Sequence, residues 1–476
     1  MEQTSEPRHL PNSEQLKPEQ LKPDRQRWLW ILLLVGLPLT SATVWLTQSD
    51  FPARLEQFQH QTFSSLKAPY RYSYDLSDYR NPASLREREI GFYQEKIRKN
   101  PQGGLDRAYL ASAYLGMAKT TGEGSWYLLA EQTAKESLAR LSIDNPSAIS
   151  TLARVAEARH DFAVALQLTQ QITDERDVLS IKTTSNLATG KLTEASQAAD
   201  QLVDLSLNTS AFLLQALVRN AQGKEQALES FNYALEVEEA GEVSTSARVR
   251  TLLGRFYYER GQMKMARDLY EEALTILPEY PLALINLAQL DVRQGRYDSA
   301  LQRYEQIPSG IPTVYNPLVL RGKARVKALQ GDRQAAETLW AQSETLLRQS
   351  FIGVDDFGHR RDLAWLLLER GRAQDVPEAV SLMQTELKNR RDAETLDIYA
   401  WALMQAGKIS QAQTAIQEAI ASGTRNPGIL HRASAIEQAL GNSVKANEYQ
   451  QQVIKSDPQF DEQARQAIGL NAGLGG

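Results

Sequence analysis

Residues 247–280 read ARVRTLLGRFYYERGQMKMARDLYEEALTILPEY, and residues 281–312 read PLALINLAQLDVRQGRYDSALQRYEQIPSGIP. At an offset of 34 residues Gly254 falls on Ala288, Gly261 on Gly295, Ala266 on Ala300, Tyr270 on Tyr304 and Pro278 on Pro312. A period of that length, carrying two helical stretches about a glycine turn, is the mark of stacked helix-turn-helix units.

The match extends to residue types. Leu253-Gly254, Tyr257, Ala266, Tyr270, Ala273 and Pro278 stand where the tetratricopeptide repeat has its consensus residues, and the chain closely resembles that family. The pattern has a physical reading. Gly254 and Ala266 are small where the two helices of a unit cross at close range, whereas Tyr257 and Tyr270 fill the gap between neighbouring units. Gly261 ends the first helix in a left-handed conformation, and Pro278 stops the second. No unit buries its apolar face alone, so each depends on its neighbours.

The same frame runs outward through turn residue and small residue: His160/Ala165, Gly190/Ala195, Gly331/Ala336, Gly407/Ala412 and Gly441/Ala446. Gly223/Ala227 is one residue short, Gly371/Ala379 three long, and a looser first unit keeps Ala134, Leu138, Leu141 and Pro146. The expected fold is therefore all-α. The resemblance implies a right-handed α-solenoid of about ten units over residues 105–457. A capping helix and Gly-rich tail over 458–476 should follow, with Asp457 as N-cap and Pro458 at the first helical position.

The N-terminal part is different. Residues 1–27 are polar and Pro-punctuated and read as a disordered tail. Residues 28–47, WLWILLLVGLPLTSATVWLT, contain no charge; twenty residues of helix span about 30 Å, the thickness of a bilayer core. Trp28, Trp30 and Trp45 sit near its ends, at membrane-interface positions. Lys17, Lys22, Arg25 and Arg27 precede the span, and only Arg54 and Lys67 follow within twenty residues. By the positive-inside rule this reads as a single-pass transmembrane anchor with a cytoplasmic N-terminus and exported repeats. Thr40-Ser41-Ala42 resembles a signal-peptide cleavage site, but the apolar run continues through Val44, Trp45 and Leu46, which favours an uncleaved anchor. Residues 48–104 form a linker with one helix over 84–99 and a Tyr-rich stretch at 68–74, either a strap on the first helices or a spacer.

Composition excludes much chemistry. There is no cysteine, hence no disulfide, no cysteine-ligated metal and no thiol nucleophile, and net charge −5 gives nucleic acid no broad attraction. The five histidines do not pair at ligand spacing, and neither a phosphate loop nor a nucleophile elbow occurs. We expect no enzyme, no cofactor and no small-molecule substrate.

The family's concave wall is lined by fixed positions of each first helix. The resemblance assigns those positions here to Arg248, Arg255, Tyr258, Gln289, Arg293, Arg321, Arg325, Arg361, Trp365, Asp397 and Trp401. Arginine with Trp and Tyr is a hot-spot composition, and guanidinium forks suit acidic peptides. The resemblance thus implies a non-catalytic scaffold whose groove holds partner proteins or peptides of acidic character. A regulatory or assembly subunit of a membrane enzyme complex is the alternative.

Overall fold

The computed structural model describes residues 70–76, 81–350 and 358–470. Every described residue belongs to one compact part of the chain, 70–476. The expected anchor, residues 28–47 with Trp28, Trp30 and Trp45, lies outside the described residues. No described helix is long and apolar enough to cross a membrane.

The described residues form twenty-two α-helices and no strand. Helix α1 spans Pro82–Lys99, two residues longer at its start than the sequence suggests, because the Asn81 side chain caps it through the amide of Ser84 at 3.1 Å. The next twenty helices pair into ten hairpins, units one to ten. Units one to three are α2 (Gly104–Thr121) with α3 (Gly124–Arg140), α4 (Pro146–Ala158) with α5 (Phe162–Leu168), and α6 (Glu175–Ala188) with α7 (Leu192–Leu205). Units four to six are α8 (Thr209–Ala221) with α9 (Gln226–Glu236), α10 (Val243–Tyr258) with α11 (Met263–Ile276), and α12 (Pro281–Arg293) with α13 (Tyr297–Glu305). Units seven and eight are α14 (Asn316–Leu329) with α15 (Arg333–Gln349), and α16 (Arg360–Arg370) with α17 (Val376–Glu386). Units nine and ten are α18 (Ala393–Gln405) with α19 (Ile409–Ala421), and α20 (Pro427–Ala439) with α21 (Ser443–Ser456); the short α22 (Glu462–Ala467) ends the series.

The repeat's small residues sit where helices cross. Ala134, Ala165, Ala195, Ala227, Ala266 and Ala300 are all fully buried in second helices. A Cβ added to Gly254 would meet the Tyr270 ring at 2.5 Å, so glycine is what lets α10 and α11 approach. Tyr270 in turn packs against Leu287 and Leu290 of the next unit. His160 stands in for glycine at the second turn and adopts the left-handed conformation, φ 60°.

The solenoid closes on itself. The turn inside each early unit touches the loop following the fifth unit further along. Val314 N donates to Gly122 O at 3.0 Å, and Arg391 N donates to Ala188 O at 2.9 Å. His160 Nδ1 lies 3.2 Å from Glu386 Oε1 and packs on Gly358. Gly223 abuts Gly423, Gly261 abuts Asp457, and Gly295 abuts Gln463 of α22. The glycines at these seams are thus doubly required: a Cβ would strike the next superhelical turn at 1.9 Å at Gly223 and 2.4 Å at Gly261. At Gly331, Gly407 and Gly441, in units seven, nine and ten, no described atom lies within 4 Å of such a Cβ.

The Tyr-rich stretch is a strap, and it lies on unit five rather than on the first helices. Tyr72 N donates to Glu272 Oε1 at 2.9 Å, and Tyr74 OH donates to Glu238 O at 2.8 Å. Arg250 Nε donates to Tyr70 O at 2.7 Å, while its two terminal nitrogens each reach Glu238 at 2.7 Å. Closure explains the location: one superhelical turn returns unit five to the level of α1.

The C-terminal helix differs from the sequence reading. It begins four residues later, capped by Asp461 through the amide of Ala464 at 2.8 Å. Asp457 opens a turn instead, its Oδ1 accepting from the amide of Gln459 at 3.0 Å while Oδ2 pairs with Arg293 at 2.7 Å.

Candidate functional site

The first helices of the units line the interior, and closure turns their concave wall into an enclosed space. Groups from distant units meet there. Arg255 of α10 bonds Glu394 of α18 across it at 3.0 Å, and Glu259 on its own helix at 3.1 Å. Glu394 foremost holds the Arg255 guanidinium above its ordinary pKa. Its side chain nevertheless stays 45% accessible deep inside the molecule's outline, as a residue facing interior solvent should.

The other residues assigned to the wall by sequence divide into three groups. The first is held by ion pairs across neighbouring units. Arg325 grips Glu369 with two bonds of 2.8 and 2.6 Å. Arg321 stacks on Trp365 at 4.5 Å and lies 3.9 Å from Glu369. Arg361 sits 3.5 Å from Asp392 and 3.4 Å from Glu394. Asp397 and Trp401 are packed rather than presented: Trp401 is fully buried, Arg432 of unit ten lies over its ring at 4.5 Å, and the same guanidinium bonds Asp397 at 2.6 Å. Burial pushes the Asp397 carboxyl up while Arg432 opposes it.

The second group lies on α10 and α12, where Arg293 and Tyr258 meet the C-terminal segment. Arg293 lies over the Tyr258 ring at 5.2 Å, bonds Asp457 at 2.7 Å and donates to Gln459 O at 2.9 Å. Gln289 is partly buried on the same helix.

Arg248 alone forms the third group. It is exposed and makes no ion pair among the described residues. Lys119 of unit one, which sequence reasoning missed, faces it and is likewise exposed and without an ion pair among the described residues. Solvent reaches Lys119, but protein surrounds it on most sides; that desolvation, then Arg154 and Arg248, pull its amine down to about 8. The acids near Lys119, Glu157 and Asp177, are taken up by Arg154 at 3.0 and 2.6 Å. Three cations therefore face two carboxylates. Tyr280 and Tyr315 lie within electrostatic range of Arg248, as does Tyr127, whose hydroxyl is pushed up to about 12 by burial. The result is a cationic, aromatic-walled recess between units one and five, suited to a carboxylate-bearing ligand. Only register with Arg248 across the closed interior identifies Lys119, and no local motif marks it.

Residues 257–326 match the family described as Tetratricopeptide repeat. A 59-residue stretch is 36% identical to cellulose synthase operon protein C of Xanthomonas axonopodis pv. citri (strain 306), covering 12% of this chain and 4% of that protein. A 44-residue stretch is 46% identical to the uncharacterized protein ycf37 of Pyropia yezoensis, covering 9% of this chain and 25% of that one. The chain thus spans only a small part of either relative. Among solved structures, the human IFIT1 dimer with PPP-AAAA aligns at 16% identity over 78% of this chain and 77% of that one, with a TM-score of 0.39.

Proposed function

We propose that this tetratricopeptide-repeat protein is a non-catalytic scaffold that holds an acidic segment of a partner protein inside its solenoid. It is tethered to a membrane through residues 28–47, with its N-terminus cytoplasmic and its repeats on the exported side. The supporting observation is the recess at Lys119 and Arg248. Most other wall arginines have their carboxylate supplied by the fold, whereas these two cations lack one among the described residues. Guanidinium and ammonium groups with a low-dielectric aromatic wall favour a carboxylate over water.

The test is charge reversal at the recess. Full-length protein carrying Lys119→Glu and Arg248→Glu should keep its helical content and lose partner capture, read by crosslinking in intact cells, by roughly tenfold or more. Undiminished capture would remove the recess from the account. Reversal at Arg321, Arg325 or Arg361 is a poorer probe, because each breaks an internal contact with Glu369, Asp392 or Glu394.

A second reading is a regulatory or assembly subunit of a membrane enzyme complex, for example one making polysaccharide. The stretch resembling cellulose synthase operon protein C favours it. Co-purification of a glycosyltransferase with the detergent-solubilised full chain distinguishes it from a free scaffold.

A further inference from the structure

The chain does not continue along the stack after α21. Helix α22 packs chiefly on α12 of unit six, not on the helix that precedes it. The segment 457–470 thereby lies along the inner faces of α10, α12, α14 and α16. Three kinds of contact hold it. Asp457 and the carbonyl of Gln459 engage Arg293 at 2.7 and 2.9 Å. The carbonyl of Ala467, at the end of α22, accepts from Arg325 at 2.7 Å. Ile468 packs with Tyr258, Leu287 and Leu290, and Leu470, beyond the left-handed Gly469, is only 2% exposed.

A six-residue helix has no stability of its own in water, so its conformation is borrowed from the wall it rests on. An acid on a buried arginine, a helix C-terminus capped by a second arginine and apolar anchors are the elements of helix-in-groove recognition. The same segment also touches α20 of unit ten, where Ile468 and Leu470 lie against Gly428 and the Phe460 ring lies 5.9 Å from that of His431, so it bridges the last unit and the inner wall.

We propose that Tyr258, Leu287, Leu290, Arg293, Arg325 and Glu369 form a peptide site filled in cis by residues 457–470. A partner segment reaches this part of the interior only by displacing the chain's own C-terminus. The inference rests on the interior being the binding face, and it adds both a second subsite and its built-in competitor.

The probe is a labelled synthetic peptide of residues 457–476. In the full chain, Ile468→Asp with Leu470→Asp drives the segment out. The peptide should bind this variant at least roughly tenfold more tightly than the unaltered chain, whose tethered segment competes at high effective concentration. Adding Arg293→Glu should abolish that binding. Equal binding to both chains, or binding to neither, overturns the proposal. Hydrogen exchange on the unaltered chain decides the matter independently of how the variant folds: amides of 462–470 should exchange at least roughly tenfold faster than those of α12, through local release. Exchange at the same rate as α12 would make the segment an integral part of the core. Capture at Lys119 and Arg248 is read separately, so failure here leaves the scaffold reading standing.

Discussion

Gly223→Ala is expected to destabilise the protein by about 3 kcal/mol, whereas the same change at Gly441 costs only about 1–2 kcal/mol. Both glycines end the first helix of a unit with positive φ, 65° and 80°. The left-handed penalty for an added Cβ is therefore common to both. The difference lies outside the unit. At Gly223 the new carbon would fall 1.9 Å from the carbonyl oxygen of Gly423, and at Gly441 no described atom lies within 4 Å. Because the obstacle is backbone, relief requires the two superhelical turns to part, breaking neighbouring contacts such as Arg425–Glu225 at 3.0 Å. Urea unfolding midpoints compare the two variants directly. Equal losses would mean that the turns do not touch in solution.

Arg250→Ala should cost about 3–5 kcal/mol, the range for removing one partner of a buried ion pair. The Arg250 side chain has no accessible surface and Glu238 little, and the guanidinium also satisfies Tyr70 O. Alanine would leave a desolvated carboxylate and an unbonded carbonyl together. Arg250→Met with Glu238→Gln should recover most of the loss, since the charge is then removed rather than stranded. The strap gives a second readout: the amide of Tyr72, bonded to Glu272, should lose hydrogen-exchange protection in the alanine variant. A cost under about 1 kcal/mol would show that water reaches the pair.

The local architecture was legible because it repeats. Gly254, Ala266 and Tyr270 announce a crossing and an inter-unit contact, and both occur between the elements the 34-residue period marks out. His160 could be read as a glycine substitute because a turn demands a left-handed residue at that place whatever its side chain.

What the period does not carry is the superhelical pitch. Small rotations between units accumulate until the turn at Gly190 arrives at Arg391, some two hundred residues on, and no residue in either segment signals the meeting. Nor does the period say which wall arginines find acids on the adjacent unit, as Arg321 and Arg325 do with Glu369 and Arg361 does with Asp392 and Glu394. The same missing pitch hid the seat of the Tyr-rich strap on unit five, the partnership of Lys119 with Arg248, and the inward path of residues 457–470.

The enclosed interior depends on one claim, that turns of the superhelix separated by five units are in contact. The chain contains no cysteine, so Glu225→Cys with Arg425→Cys, replacing two exposed residues whose charged groups meet at 3.0 Å, places a unique thiol pair across the seam. A short-span dimaleimide reagent added to dilute full-length protein should join the two within one chain, seen as a linked peptide pair by mass spectrometry and as a monomer on a denaturing gel. A pair that stays unlinked, or links only between molecules, would contradict the closed solenoid and the binding interior built on it.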